Sequence, residues 1–128
     1  MSSYGELAKL AASRARQGAN PVEAWKDAAE DVFPTKKASR EKGCPKCAFL
    51  GLAEEGLIRG VQPGRYTRSR DNKHYALVAV AALRSDPELA NDADRLWEIV
   101  MDGVKKKHNE QMCVVSALWQ NGDIPRAT

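Results

Sequence analysis

The stretch Cys47–Ile58, CAFLGLAEEGLI, aligns without a gap to Cys113–Ile124, CVVSALWQNGDI. Four positions are identical: Cys47 and Cys113, Leu52 and Leu118, Gly56 and Gly122, Ile58 and Ile124. Each stretch is a largely apolar run of helical length closed by a glycine, the residue that best tolerates the left-handed backbone ending a helix. Working outward, Trp25 matches Trp97 and Val32 matches Val104, and each pair follows an asparagine, Asn20 or Asn91, suited to capping. Further upstream, Tyr4 and Ala8 match Tyr75 and Ala79. The order is the same in both halves, and the offsets of 71, 72 and 66 residues differ only by small loop changes. This self-similarity predicts a duplicated three-helix unit, with halves 4–58 and 75–124 joined by a basic connection at 59–73. Trp25 and Trp97 are then equivalent core anchors.

The rest of the chain agrees with helices. Nineteen alanines against 6% aromatic residues favour them over strands. A capping box Ser3-x-x-Glu6 opens a first helix near Tyr4–Gln17, which Gly18 stops. Asn20-Pro21 opens a second, with Val22, Trp25, Ala29 and Val32 on one face, ending at Phe33-Pro34. A third runs from Gly43-Cys44-Pro45 to about Glu55. Asp71 or Asn72 caps a fourth through about Arg84, and Asp86-Pro87-Glu88 adds a short turn. Asn91 or Asp92 starts a fifth, with Leu96, Trp97, Val100 and Val104 on one face, and Asn109 caps a sixth, Glu110–Gln120. The expected fold is all-α, about six helices in one compact domain spanning 1–128. Only residues 57–73 depart from it: Gln62-Pro63-Gly64 between Val61 and Tyr66 allows a very short hairpin within 57–68. Gly51 stands opposite Ala117 in the alignment, so this costly mid-helix glycine is expected to mark a close helix–helix contact.

Composition narrows the function classes. With 128 residues and 43% apolar content, the chain is neither disordered nor low in complexity. The longest apolar run, Tyr75–Leu83, is too short for a bilayer, so no membrane association is expected. The first residues lack the pattern of a signal peptide, and three cysteines are an odd number. A reduced, cytoplasmic protein is expected.

Cys44-Pro45-Lys46-Cys47 suggests either a redox pair at a helix N-terminus or half of a zinc site completed by His108 and Cys113. The alignment of Cys47 with Cys113 argues for the simpler alternative, two small apolar residues on the inner faces of equivalent helices. Cys44 differs: its counterpart is Glu110, so it is expected to be partly exposed, at a helix start that favours a thiolate. A nucleophile needs a base, and His74 and His108 read as surface residues. Phosphate-loop, dinucleotide, serine-hydrolase and zinc-protease motifs are lacking, so no catalytic residue, metal site or cofactor is assigned.

The charge is unevenly placed. Lys36, Lys37, Arg40, Lys42 and Lys46 outweigh Glu41 to leave +4 in residues 36–46. Arg59, Arg65, Arg68, Arg70 and Lys73 against Asp71 leave another +4 in 59–73, and Lys105, Lys106 and Lys107 add +3. The net charge of +3 is therefore the difference between +11 in three connections and −8 elsewhere. Two of these stretches lead into helix N-termini, whose free N–H groups and dipole favour anions. The pattern points to a non-catalytic protein that contacts nucleic-acid phosphates through basic loops. The candidate contacts are Lys36, Lys37, Arg40, Lys42, Lys46, Arg65, Arg68, Arg70 and Lys105–Lys107. An interaction module for an acidic protein fits the same charge map, and a small anion- or ligand-binding protein with a reactive Cys44 is a third alternative.

Two resemblances follow from particular residues. Glu54-Glu55-Gly56-Leu57-Ile58-Arg59-Gly60 followed by Pro63-Gly64-Arg65-Tyr66-Thr67 resembles the end of a winged helix-turn-helix domain, which implies a reading helix and a basic wing. Phe49, Leu50 and Leu52 depart from that role, because they leave the third helix little polar surface. Over most of its length, through Ala24-Trp25, Lys42-Gly43-Cys44-Pro45, Ala48-Phe49-Leu50-Gly51-Leu52 and Asn72-Lys73 to Tyr75-Ala76, the chain resembles a family of small uncharacterised bacterial proteins. That resemblance implies a stand-alone cytoplasmic protein and transfers no site.

Overall fold

In a computed structural model, residues 2–126 are described, and they form an all-helical structure. The order is α1 (Ser3–Arg16), α2 (Pro21–Val32), a four-residue α3 (Lys37–Arg40), α4 (Gly43–Glu54), α5 (Arg70–Ser85), a 3-10 turn (Pro87–Asn91), α6 (Ala93–Met101) and α7 (Gln111–Gln120). The six longer helices are those expected from the sequence. No strand forms among the described residues, so the hairpin expected within 57–68 is absent. Instead, side-chain and carbonyl acceptors on α4 hold that connection. Gly64 N–H donates to the Glu54 carbonyl at 3.2 Å, and Glu54 Oε1 accepts from the N–H groups of Tyr66 and Thr67 at 2.7 and 3.3 Å.

Several helix starts shift by one to three residues. Ser2, rather than Ser3, caps α1 by accepting from Tyr4 N–H, and Glu6 pairs with Lys9 instead of completing a capping box. Asn20 accepts from Val22 N–H, as Asn-Pro predicts for α2. Ser69 caps α5 in place of Asp71 or Asn72, and Asp92 caps α6. The C-termini of α4 and α7 end alike. Leu57 N–H reaches the Leu52 carbonyl and Asp123 N–H the Leu118 carbonyl, both at 2.9 Å, around Gly56 at φ +73° and Gly122 at φ +77°. This pairing satisfies carbonyls that the helix itself leaves free.

Small residues set how the helices pack. Ala8, Ala11, Ala12 and Ala15 of α1 are buried, as are Ala24, Ala28 and Ala29 of α2, so these two backbones approach closely. Trp25 lies under them against Phe49 of α4, with ring centroids 5.2 Å apart. Trp97 is buried too, between Tyr75 and His108. Val104 does not share its face. α6 stops at Met101, Asp102 and Gly103 turn into the left-handed region, and Val104 is 65% exposed.

Beside the α1–α2 pair, extensive packing crosses between the two sequence halves: α4 lies chiefly on α5, and α7 chiefly on α1. Both crossings depend on missing side-chain volume. A Cβ at Gly51 would sit 2.8 Å from Cα and Cβ of Lys73, and a Cβ at Gly5 would sit 2.9 Å from Cβ of Ala117. Gly51 therefore marks the close helix–helix contact expected of it. Gly51→Ala should cost about 1–3 kcal/mol in urea denaturation, because the Lys73 backbone cannot yield without moving α5. Gly43→Ala, where the new methyl meets nothing within 4 Å, should stay within about 0.5 kcal/mol of wild type. Equal stability of the two variants would show that the crossing is not sterically set.

Candidate anion-binding face

The start of α5 organises the basic connections. Gln111, fully buried at the start of α7, donates from Nε2 to Asn72 Oδ1 at 3.0 Å and accepts Asn109 N–H at Oε1 at 2.8 Å. This amide ties the first turn of α7 to the first turn of α5. One turn along, Tyr75 accepts a hydrogen bond from Lys106 Nζ at 3.0 Å, and the same ammonium lies 5.0 Å from its ring centroid. Asp71 and Cys44 are within electrostatic range of that ammonium. At α1, Tyr4 has a parallel arrangement: its hydroxyl donates to the Ser39 carbonyl, and Lys42 Nζ lies 5.6 Å from its ring. Each tyrosine face thus holds a lysine without neutralising it. Lys42 is in turn within electrostatic range of His108. Residues 106–111 therefore come near both the start of α4 and the start of α5, while the first turn of α5 itself packs on the last turn of α4 at Gly51 and Glu54.

His108 is not the solvated surface residue expected from sequence. Its Nε2 accepts Met112 N–H at 3.0 Å, and its ring packs on Trp97 with centroids 5.1 Å apart. It thereby supplies the cap that was assigned to Asn109, while Glu110 turns the chain at φ +74°. Burial, with a smaller contribution from Lys42, pushes its pKa below the ordinary 6.5 against the pull of Glu110 and Asp94. A neutral imidazole is required here, because protonation at Nε2 would remove the acceptor.

A second part of the face lies where the loop 65–69 enters α5. Glu54 and Glu55 hold Lys73 Nζ at 2.6 Å each. Glu54 also accepts from the loop backbone. The Lys73 hydrogen bond, then the Tyr66 N–H, hold its carboxyl below the usual range despite partial burial. This bolt shapes a cleft of about 280 Å3 lined by Arg65, Thr67, Arg68, Ser69 and Arg70 beside Glu54 and Lys73. Its three arginines are exposed, and none forms an ion pair or side-chain hydrogen bond among the described residues.

Other candidates are placed differently. Arg40 donates from Nη1 to the carbonyls of Phe33 and Pro34, both at 3.0 Å, so it closes α2. One nitrogen of its guanidinium is thus engaged in the fold, while its charge has no carboxylate partner among the described residues. Lys36 and Lys37 stand exposed at the short α3, and Lys46 is half-exposed in the first turn of α4. Lys105 and Lys107 are exposed on either side of Lys106. No wing forms at 57–68, and α4 buries Phe49, Leu50, Leu52 and Ala53.

Cys44, Cys47 and Cys113 are free and half-buried, which corrects the inner-face reading of Cys47 and Cys113 to a boundary position. Burial and the nearby Glu110 push the Cys113 thiol up to about 11, so it stays protonated at neutral pH. Among the described residues, no three His, Cys, Asp or Glu side chains converge to hold a metal ion. No helix among them is long and apolar enough to cross a membrane.

Two predictions follow from these anchors. The His108 contribution to stability is complete above pH 6.5 and is lost as pH falls through that value toward the lowered folded one. The melting temperature should therefore drop more steeply below pH 6.5 in wild type than in His108→Asn, whose amide oxygen caps without titrating. Parallel curves would remove His108 as the titrating cap. Glu54→Ala strands two loop N–H groups and leaves Lys73 to Glu55 alone, so trypsin should cut after Arg65 and Arg68 severalfold faster than in wild type, with Glu54→Gln between. An unchanged cleavage rate would show that the loop does not depend on this carboxylate.

Neither a curated protein nor a solved structure matches the chain. A family of unknown function (DUF6979) matches residues 1–125. The chain belongs to this family.

Proposed function

We propose that this protein is a non-catalytic nucleic-acid-binding protein that contacts backbone phosphates through its basic connections. One observation carries the reading: Lys42 and Lys106, remote in sequence, both come near the start of α7, Lys42 within range of His108 and Lys106 on Tyr75 within range of Cys44 and Asp71. Helix N-termini and lysines side by side attract phosphate without reading bases. The proposal takes the chain as one domain of two related three-helix units, acting in the cytoplasm with its cysteines unpaired.

Fluorescence anisotropy with duplex and single-stranded oligonucleotides tests it. Affinity should fall linearly on a log–log plot as salt rises, with a slope of about −0.9 per phosphate contact for duplex. Changing Lys42, Lys105, Lys106 and Lys107 together to Gln should flatten the duplex slope by about 3.6. Absence of binding at low salt would overturn the reading. An acidic protein partner is the second reading, favoured by one feature. Ile99 at 37% and Val104 at 65% are the exposed large hydrophobic residues among those described, and Val104 directly precedes the three lysines. Under that reading Val104→Ser weakens partner binding, whereas oligonucleotide affinity depends on the lysines alone.

A further inference from the structure

The cleft at the entrance to α5 differs from the rest of the basic face in its three guanidinium groups, none of which forms an ion pair among the described residues. Lys73 is already held by Glu54 and Glu55 at 2.6 Å each. The positive charge offered to a ligand is therefore that of Arg65, Arg68 and Arg70. Counting Lys73 and both acids, the cleft and its rim carry a net +2. The hydroxyls are also disposed to donate. Thr67 Oγ1 accepts Ser69 N–H at 3.1 Å, and Ser69 Oγ accepts the backbone and side-chain N–H groups of Asn72 at 3.2 and 3.0 Å. Ser69 thus has both acceptor lone pairs engaged and Thr67 one, and neither hydroxyl donates its proton among the described residues, which leaves it for an incoming oxygen.

A phosphodiester presents two non-bridging oxygens and one charge. A phosphomonoester presents three oxygens and about −1.5 to −2 at neutral pH. Three forked guanidiniums and two hydroxyl donors exceed what a diester can accept but suit a monoester, and guanidinium is the side chain best shaped for phosphate. The volume of about 280 Å3 admits a phosphate group with part of its sugar. We propose that the Arg65–Arg68–Arg70 cleft is a seat for a phosphomonoester dianion, supplied by the phosphorylated end of a nucleic-acid strand. This deepens the nucleic-acid reading and rests on it. In that arrangement the cleft holds the strand end while the lysines near Tyr4 and Tyr75 follow the adjoining backbone.

The experiment compares one single-stranded oligonucleotide, labelled at its 3′ end, with either a 5′-phosphate or a 5′-hydroxyl. The phosphorylated strand should bind about tenfold more tightly, the scale of a charge-assisted, multidentate contact. Changing the three exposed arginines together to Gln should abolish the preference, with helical circular dichroism confirming the fold. Changing Lys105–Lys107 to Gln should weaken both strands and leave their ratio intact. Equal affinity of the two wild-type complexes would overturn the seat while leaving phosphate-backbone binding standing. The parallel arm titrates a nucleoside monophosphate and inorganic phosphate into 15N-labelled protein. Shifts confined to residues 65–73 without oligonucleotide binding would support the monoester seat, assign it to a free nucleotide and overturn the nucleic-acid reading. No shift with either probe, together with no end preference, would overturn the seat outright.

Discussion

The close approach of α4 to α5 at Gly51 is the constraint on which the basic face depends. With no side chain at that position, the backbone of α4 rests against Cα of Lys73 in the first turn of α5. Three consequences follow within two turns of helix. Lys73 reaches Glu54 and Glu55, Asn72 reaches Gln111 of α7, and Tyr75 comes under Lys106. A bulkier residue at 51 would push α5 outward and loosen all three together, because they share one rigid first turn.

The electrostatics of this end are arranged by pairing some cations and leaving others open. Lys73 and Arg40 have their charge or donors occupied by carboxylates and helix-end carbonyls, and so serve the fold. Arg16 does the same from α1, pairing at 2.9 Å with Asp123, a buried carboxylate just past α7. Arg65, Arg68, Arg70, Lys105 and Lys107 stand at exposed positions with no ion pair among the described residues. Lys42 and Lys106 lie between these groups: they rest on tyrosine faces, which fixes their direction but keeps their charge. A shell of fixed structural cations beneath a set of free ones suits multivalent anion contact better than a disordered basic tail, since less side-chain entropy is lost on binding.

Much of the fold was legible in the sequence, because its signals are local. Gly56 and Gly122 stop their helices by a backbone conformation that needs no distant partner, and Asn20-Pro21 starts α2 in the same self-contained way. Starts that depend on a distant partner were misread. His108 caps α7 because Trp97 covers its ring, and Glu54 replaces a hairpin because Tyr66 and Thr67 lie across α4. Of the site, residue types and clustering of charge could be read, but not which cations were engaged by the fold. Arg40 and Lys73 look no different in sequence from Arg68 or Arg70. Gln111 carried no signal of its role, since a buried amide and an exposed one have the same letter.

By itself, then, the sequence determined six helices, the glycine stops of α4 and α7, a small-residue contact at Gly51 and three basic connections flanking helix starts. These are properties of single segments, set by backbone propensity, apolar periodicity and local charge. Only the tertiary structure decided that α4 packs on α5 and α7 on α1, which basic stretches adjoin, and which of their cations are engaged. Those outcomes depend on contacts between residues more than sixty apart in places, such as Arg59 with the carbonyl of Gly122. Such contacts form only after apolar faces are buried, so no local pattern encodes them.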